Sequence, residues 1–360
     1  MRTDTIPLGG HAPGLQAALT VHRFGTPGAR PLVYVQGALH ADEIPGMIAA
    51  HHLRGRLEAL EAAGRVRGEI VLVPVANPLG LNQRMLGGMV GRFDLADGAN
   101  FNRHYPDLVA AVAEAVGGRL TDDEAGNRDL IRAALADAVA ASPATTPAEH
   151  LKRTLLGLAV TANVVLDLHC DSEAAMHLYT LTPHAEDVAP LAALLGCEAV
   201  LLATESGDEP FDEACSTPWL RLAERFPDRP VPLACLAATV ELRGQADVSH
   251  ELAAADAEAL AAFMTIRGAI EGPAPRVPPA RCRATPLEGS EPLIAPRAGM
   301  VVFHRDVGER VAAGDVIAEI VCPVSGDVTP VATASDGVLF ARSASRFAAA
   351  GKRLGKVAGK

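Results

Sequence analysis

The sequence predicts an α/β fold with a mixed or mostly parallel central sheet flanked by helices, followed by a small all-β unit. Three observations carry this expectation. Apolar β-rich runs alternate with Ala- and Leu-rich helical stretches up to about residue 270, a proline-rich break follows, and the tail alternates short β runs with glycine turns.

Taken in order, Pro31 to Gly37 (PLVYVQG) and Gly68 to Val75 (GEIVLVPV) read as strands. Ile48 to Ala63 between them has helical spacing and composition, which completes a strand, helix, strand unit. The stretch from Leu108 to Leu158, broken at Gly117-Gly118 and at Ser142 to Pro147, predicts two or three helices. Strands are predicted again at Val164 to Leu168, Ala199 to Ala203 and Leu236 to Leu242, and a helix over Val248 to Ile270. The division is a catalytic-type domain over 1–272, a linker over 273–291 and a β unit over 292–360. The linker follows from PAPRVPPARCRATPLEG, whose prolines forbid regular helix or a central strand.

Composition narrows the function. Half the residues are apolar (49%) and no run is long enough to span a bilayer, which predicts a folded, cytoplasmic protein that does not engage membrane. A net charge of −11 repels phosphate backbones, so nucleic acid is excluded as a partner, and a small-molecule ligand is expected, with room for a homo-oligomer. The six cysteines form no C-x-x-C pair, so neither a disulfide framework nor a cysteine metal site is predicted.

The chemistry concentrates at predicted strand ends, where sites form in α/β sheets. His40 and Glu43, in Gly37-Ala38-Leu39-His40-Ala41-Asp42-Glu43, are three apart where a strand passes into a helix, so imidazole and carboxylate can reach one ion. By itself H-x-x-E also describes a surface capping pair. His169, in Asp167-Leu168-His169-Cys170-Asp171 at the end of another strand, adds a third ligand, and two His with one Glu make an open catalytic zinc site. Asp167 is a candidate to orient an imidazole from behind. Glu241, closing the strand Thr239-Val240-Glu241-Leu242, is the candidate general base.

These stretches, in their order and spacing, resemble the succinylglutamate desuccinylase and aspartoacylase branch of the zinc carboxypeptidase superfamily, over roughly residues 30 to 270. The resemblance implies a carboxypeptidase-like mixed sheet, one zinc per chain on His40, Glu43 and His169, and Glu241 as catalytic glutamate. It also implies that Asn102 and Arg103, in Asn100-Phe101-Asn102-Arg103-His104-Tyr105-Pro106, hold a substrate carboxylate, and that Arg84 polarises the scissile carbonyl, with Arg92 close by in sequence. Ala41, and Asn100-Phe101 ahead of Asn102-Arg103, depart from the family pattern of Gly after the first His and Asp-Leu-Asn-Arg. The implied reaction is hydrolysis of the amide bond of a small N-acyl amino acid. Acetyl, succinyl and aspartyl groups stay open, N-acetyl diaminobutyrate among the substrates. Rival readings are a zinc metallocarboxypeptidase and a non-catalytic binding protein.

The tail resembles a biotinyl or lipoyl-type barrel, on Val307-Gly308-Glu309-Arg310-Val311 and Gly314-Asp315-Val316-Ile317. The expected carrier hairpin, Cys322 to Thr329, has no lysine, and Lys352, Lys356 and Lys360 fall in the terminal strand or tail. A structural or access-narrowing role is therefore expected, without an attached cofactor.

Overall fold

The computed structural model describes residues 1–359. Nine strands form the central sheet: β1 (Arg2–Leu8), β2 (Ala17–Gly25), β3 (Leu32–Gly37), β4 (Glu69–Val73), β5 (Val164–Asp171), β6 (His177–Leu181), β7 (Ala199–Ala203), β8 (Leu236–Gly244) and β9 (Ala284–Pro286). Their spatial order is β1-β2-β4-β3-β5-β8-β6-β7-β9. The centre, β4-β3-β5-β8, is parallel, and β1, β2 and the β8–β6 pairing make the sheet mixed.

Seven helices of eight or more residues cover its faces: α1 (Pro45–Ala62), α2 (Val109–Val116), α3 (Glu124–Ala141), α4 (Pro147–Ala159), α5 (Ala185–Leu195), α6 (Phe211–Arg225) and α7 (His250–Ile266). Strand alternation divides the core in two. Tyr34, Val71, Val73 and Val165 pack toward α2, α3, α4 and α6, while Val33, Val35, Leu166 and Leu168 pack toward α1, α5 and α7. Trp219 of α6 is fully buried in the first layer, where truncation to Ala costs about 3–5 kcal/mol.

Helix starts follow local chemistry. Pro45 stands in the first turn of α1, and Thr146 with Glu149 closes a capping box on α4. Glycine is required where α1 meets the sheet: a Cβ on Gly46 would stand 2.7 Å from the Leu168 carbonyl, and one on Gly37 would stand 2.7 Å from that of Gly46. This close approach brings the loop between β3 and α1 against the end of β5.

The expected elements between residues 31 and 270 are present. The N-terminal hairpin β1–β2 and strand β6 were not predicted. The linker is also not wholly irregular, because Ala284–Pro286 adds to the sheet as an edge strand beside β7. An edge position suits a segment ending in proline, which has no N–H to give a second neighbour.

Residues from 290 onward form small antiparallel sheets around an apolar cluster of their own that includes Leu293, Ile317, Ile320, Leu339 and Val357. One sheet contains β10 (Ser290–Ile294), β14 (Gly337–Arg342) and β15 (Arg353–Ala358); the other contains β11 (Gly299–Phe303), β12 (Val316–Val321) and β13 (Val328–Ala332). Among the described residues no helix is long and apolar enough to cross a membrane.

Candidate functional site

The chain leaves β3 through Ala38, a non-glycine residue at φ 61°, and turns so that His40 and Glu43 face the end of β5. Arg243, just past Glu241, and His104, just past Arg103, also hold positive φ (64° and 58°). Such backbone costs about 1–3 kcal/mol at each position and collects where side chains must be aimed.

Glu43 is the centre of the cluster. Its Oε1 lies 3.1 Å from His40 Nδ1 and its Oε2 lies 2.8 Å from His169 Nδ1, while the Cys170 N–H donates to Oε2 at 3.1 Å. His40, Glu43 and His169 are buried, and one ligand atom from each lies within 4.8 Å of the others. The far nitrogens are held too. His169 Nε2 lies 2.9 Å from Asp167 Oδ2, and His40 Nε2 lies 2.8 Å from Asn100 Oδ1. Asp167 in turn accepts from Gln36, and Gln36 accepts from the Tyr34 hydroxyl. Each imidazole thus presents Nδ1 inward with its other nitrogen fixed, the arrangement metal-binding histidines use.

Burial resists charge on Glu43, but the charges and hydrogen bonds of His169 and His40 outweigh it and hold this carboxyl below the usual carboxylate range. His169 is raised well above an ordinary histidine: burial opposes this, and the Asp167 and Glu43 carboxylates overcome it. Burial lowers His40. Two imidazoles and a carboxylate at this spacing could hold a divalent metal ion.

Glu241 lies on β8 in register with His169 of β5 and lines the same cavity. Its Oε2 is buried with no hydrogen-bond partner among the described residues, and burial, followed by the Glu43 charge, pushes its carboxyl up to about 8. The cavity encloses about 830 Å³. Its walls carry Arg92, Arg103, Lys352, Arg353 and Lys356 together with the carboxylates of Asp171, Asp212 and Glu213.

The Asn-Arg loop is pinned from both sides. Lys152 of α4 donates to the Asn100 and Arg103 carbonyls, and the Phe211 N–H at the start of α6 donates to Asn102 Oδ1 at 2.9 Å. Asn102 and Arg103 both line the cavity; Asn102 Nδ2 stands 3.5 Å from His169 Nε2.

Arg84 is not brought into this site. It lies on a short hairpin turned outward by Leu86 and Gly87 at positive φ, and its guanidinium donates to the Leu81 and Gln83 carbonyls. Arg92 stands where Arg84 was expected: it lines the cavity, and its Nη2 donates to Glu43 Oε1 at 2.6 Å.

The second group not foreseen comes from the tail. Lys356 Nζ lies 3.4 Å from Asp171 Oδ2 and 3.3 Å from the Tyr179 hydroxyl. The segment after His169 is strapped to the same sheet: Glu173 and Ala174 pair with β14, and Glu173 takes Arg342 at 2.6 Å and Arg346 at 2.8 Å. Nothing in the sequence around Lys352 or Lys356 points to the cavity that both line. Lys360 lies outside the described residues.

The family model for the succinylglutamate desuccinylase/aspartoacylase catalytic domain matches residues 29–267. The chain belongs to this family. Family membership makes a hydrolase acting on small molecules the coarse functional assignment. A family protein from Shewanella amazonensis is 30% identical, with all of this chain and 99% of that one covered and a TM-score of 0.86. Another from Shewanella frigidimarina is 27% identical, covering 100% and 97% at a TM-score of 0.87. Both similarities include the C-terminal sheets. The product-bound ectoine utilization protein EutE (DoeB) of Ruegeria pomeroyi shares the fold at 16% identity, covering 99% and 93% with a TM-score of 0.69. No curated protein matches the chain.

Proposed function

We propose that this desuccinylase/aspartoacylase family member is a zinc-dependent hydrolase of the amide bond in a small N-acyl amino acid. The observation that carries the reading is the His40, Glu43 and His169 cluster, whose two imidazoles line one cavity with the unpartnered Glu241 carboxyl. The donor set fits zinc, which takes imidazole nitrogen and carboxylate oxygen in open catalytic sites. When bound, zinc supplies Lewis acidity and lowers the pKa of water.

The chain's own residues do the rest. Glu241 Oε2 takes a proton from the attacking water and returns it to the departing amine nitrogen, breaking the C–N bond. Arg92 donates toward negative charge developing on the scissile oxygen, the role expected of Arg84. Arg103, with the Asn102 amide, binds the substrate carboxylate by paired N–H donors. Asp167, through His169, and Asn100, through His40, keep the ligand rings in place.

We take residues 292–360 as a β-barrel unit that narrows access. The lining contributed by Pro292, Lys352, Arg353 and Lys356 supports a small anionic substrate over a peptide laid along an open groove.

The test is elemental analysis of the full chain together with amine release from N-acetyl, N-succinyl and N-aspartyl compounds and from peptides. One zinc per chain is expected, lost in His40→Ala and His169→Ala, with hydrolysis of at least one N-acyl amino acid. A chain that keeps zinc in both variants, or that cleaves peptides in preference, overturns the reading.

A further inference from the structure

We propose that the amino acid released by this hydrolase has a basic side chain, whose terminal ammonium is bound by Asp212 at the start of α6. The inference rests on the cavity being an N-acyl amino acid site and names the class of amino acid that the site prefers.

Asp212 is 7% exposed and lines the cavity. Among the described residues no arginine, lysine or histidine pairs with it. The other two carboxylates of these walls are engaged: Asp171 faces Lys356 at 3.4 Å, and Glu213 accepts from the Ser206 N–H at 2.7 Å. A buried carboxylate without a cation is costly to the fold. Here it stands on the wall of the substrate cavity, where a ligand can supply the missing charge. Glu213 and Asp167, whose charges help to raise this carboxyl to about 7, also make the place attractive to a cation.

The polar groups around Asp212 favour a donor. Thr239 of β8 gives its side-chain hydrogen bond to the Asp212 carboxyl, and Ser216, one turn along α6, donates to the Asp212 carbonyl at 2.9 Å. Both residues line the cavity. With their protons spent, the two hydroxyls have only lone pairs left to offer. An ammonium brings three N–H donors and needs no acceptor role, so it satisfies this part of the wall. An aliphatic side chain leaves the carboxyl unpaired, and an acidic one meets like charge.

The position fits the rest of the substrate. Asp212 directly follows Phe211, whose N–H holds Asn102 Oδ1 at 2.9 Å, so it adjoins the Asn102 and Arg103 element proposed for the substrate carboxylate. Thr239 and Glu241 are two apart on β8, which puts them on one face about 6.6 Å apart along the strand. Carboxylate at Arg103, amine nitrogen at Glu241 and side chain at Asp212 are the three substituents of a single α-carbon. The cations Lys352 and Arg353 stand at the start of β15, whereas Asp212 and Glu213 open α6, so opposite charges come from different elements, as a ligand with both charges requires.

The experiment compares Nα-acetyl and Nα-succinyl derivatives of ornithine and lysine with those of norleucine, which has similar length and no charge, on the full chain supplied with zinc. Free ornithine and norleucine are also titrated calorimetrically, a readout that does not need turnover. Wild type is expected to favour the basic member roughly 10- to 100-fold in kcat/KM and in affinity, the range for a hydrogen bond to a charged group. Asp212→Asn should bring both ratios close to one, with its melting temperature confirming that it folds. Tighter binding of ornithine without hydrolysis of any derivative would refute the hydrolase reading and leave the role of Asp212 standing. Hydrolysis without preference for the basic side chain, equal binding of the two free amino acids, or a preference that survives Asp212→Asn overturns the proposal.

Discussion

Arg92 Nη2 donates to Glu43 Oε1 at 2.6 Å, so a guanidinium faces the one carboxylate that both His40 and His169 share. This contact separates Arg92 from Arg84 by experiment. Arg92→Met is expected to lower kcat/KM by about 10²-fold, the range for loss of a donor to developing oxyanion charge. Arg84→Met, on the outward hairpin, is expected to leave it within about twofold, as for a surface change away from the site. Steady-state kinetics on one substrate decides, and equal losses in the two variants would return Arg84 to the mechanism.

Glu241 is expected to move protons without holding the ion. Glu241→Gln preserves shape and removes the base, so metal content should match wild type while turnover falls by roughly 10²- to 10⁴-fold. A variant that loses metal along with activity would make Glu241 a ligand.

Much of this was legible in sequence because the catalytic positions sit at the ends of strands with strong β character. The runs ending at Gly37, Leu168 and Leu242 announce strands, and the residues that follow or close them, His40, Glu43, His169 and Glu241, come together in the parallel register of β3, β5 and β8. Asp167 was legible as a carboxylate that could orient an imidazole, and the structure gives it His169, since residues two apart on a strand share a face. Arg92 was not, because it lies in an irregular loop whose course depends on the contact of Gly91 with Ala41. Lys356 was not, because its neighbours Asp171 and Tyr179 are distant in sequence and reach it only when the C-terminal sheet docks.

Asp212 gives a pH-dependent prediction. This carboxyl is buried at the start of α6, and burial, with Glu213 and Asp167 nearby, raises it from 3.8 to about 7. Between those values the folded chain keeps a proton that the unfolded chain has released, so stability falls as pH rises from about 4 to about 7 and stays low above. Asp212→Asn removes the ionisation. It is expected to raise stability by on the order of 1–3 kcal/mol at pH 8 and to change little at pH 4, read from denaturant unfolding at both values. A gain of equal size at both pH values would exclude ionisation as its cause.

The last prediction concerns the strap between the C-terminal sheet and the strand end that carries His169. Glu173 receives Arg342 and Arg346, Ser172 Oγ accepts from the Ala344 N–H, and the Ala175 N–H reaches the Phe340 carbonyl. These contacts fix Asp171 and Ser172, which line the cavity beside Glu241, whereas His169 itself is held by Glu43 and Asp167. Loosening the strap should therefore move the wall more than the metal ligands. Glu173→Gln weakens both arginine contacts without changing size, and KM is expected to rise about tenfold while metal content stays full and kcat changes less, as misplacement of a substrate-positioning wall predicts. Arg342→Lys should recover part of the loss that Arg342→Met causes, since lysine keeps the charge but not the planar fork that meets the carboxylate. If Glu173→Gln lowers the melting temperature and leaves KM unchanged, the strap holds the two sheets together and has no part in shaping the cavity.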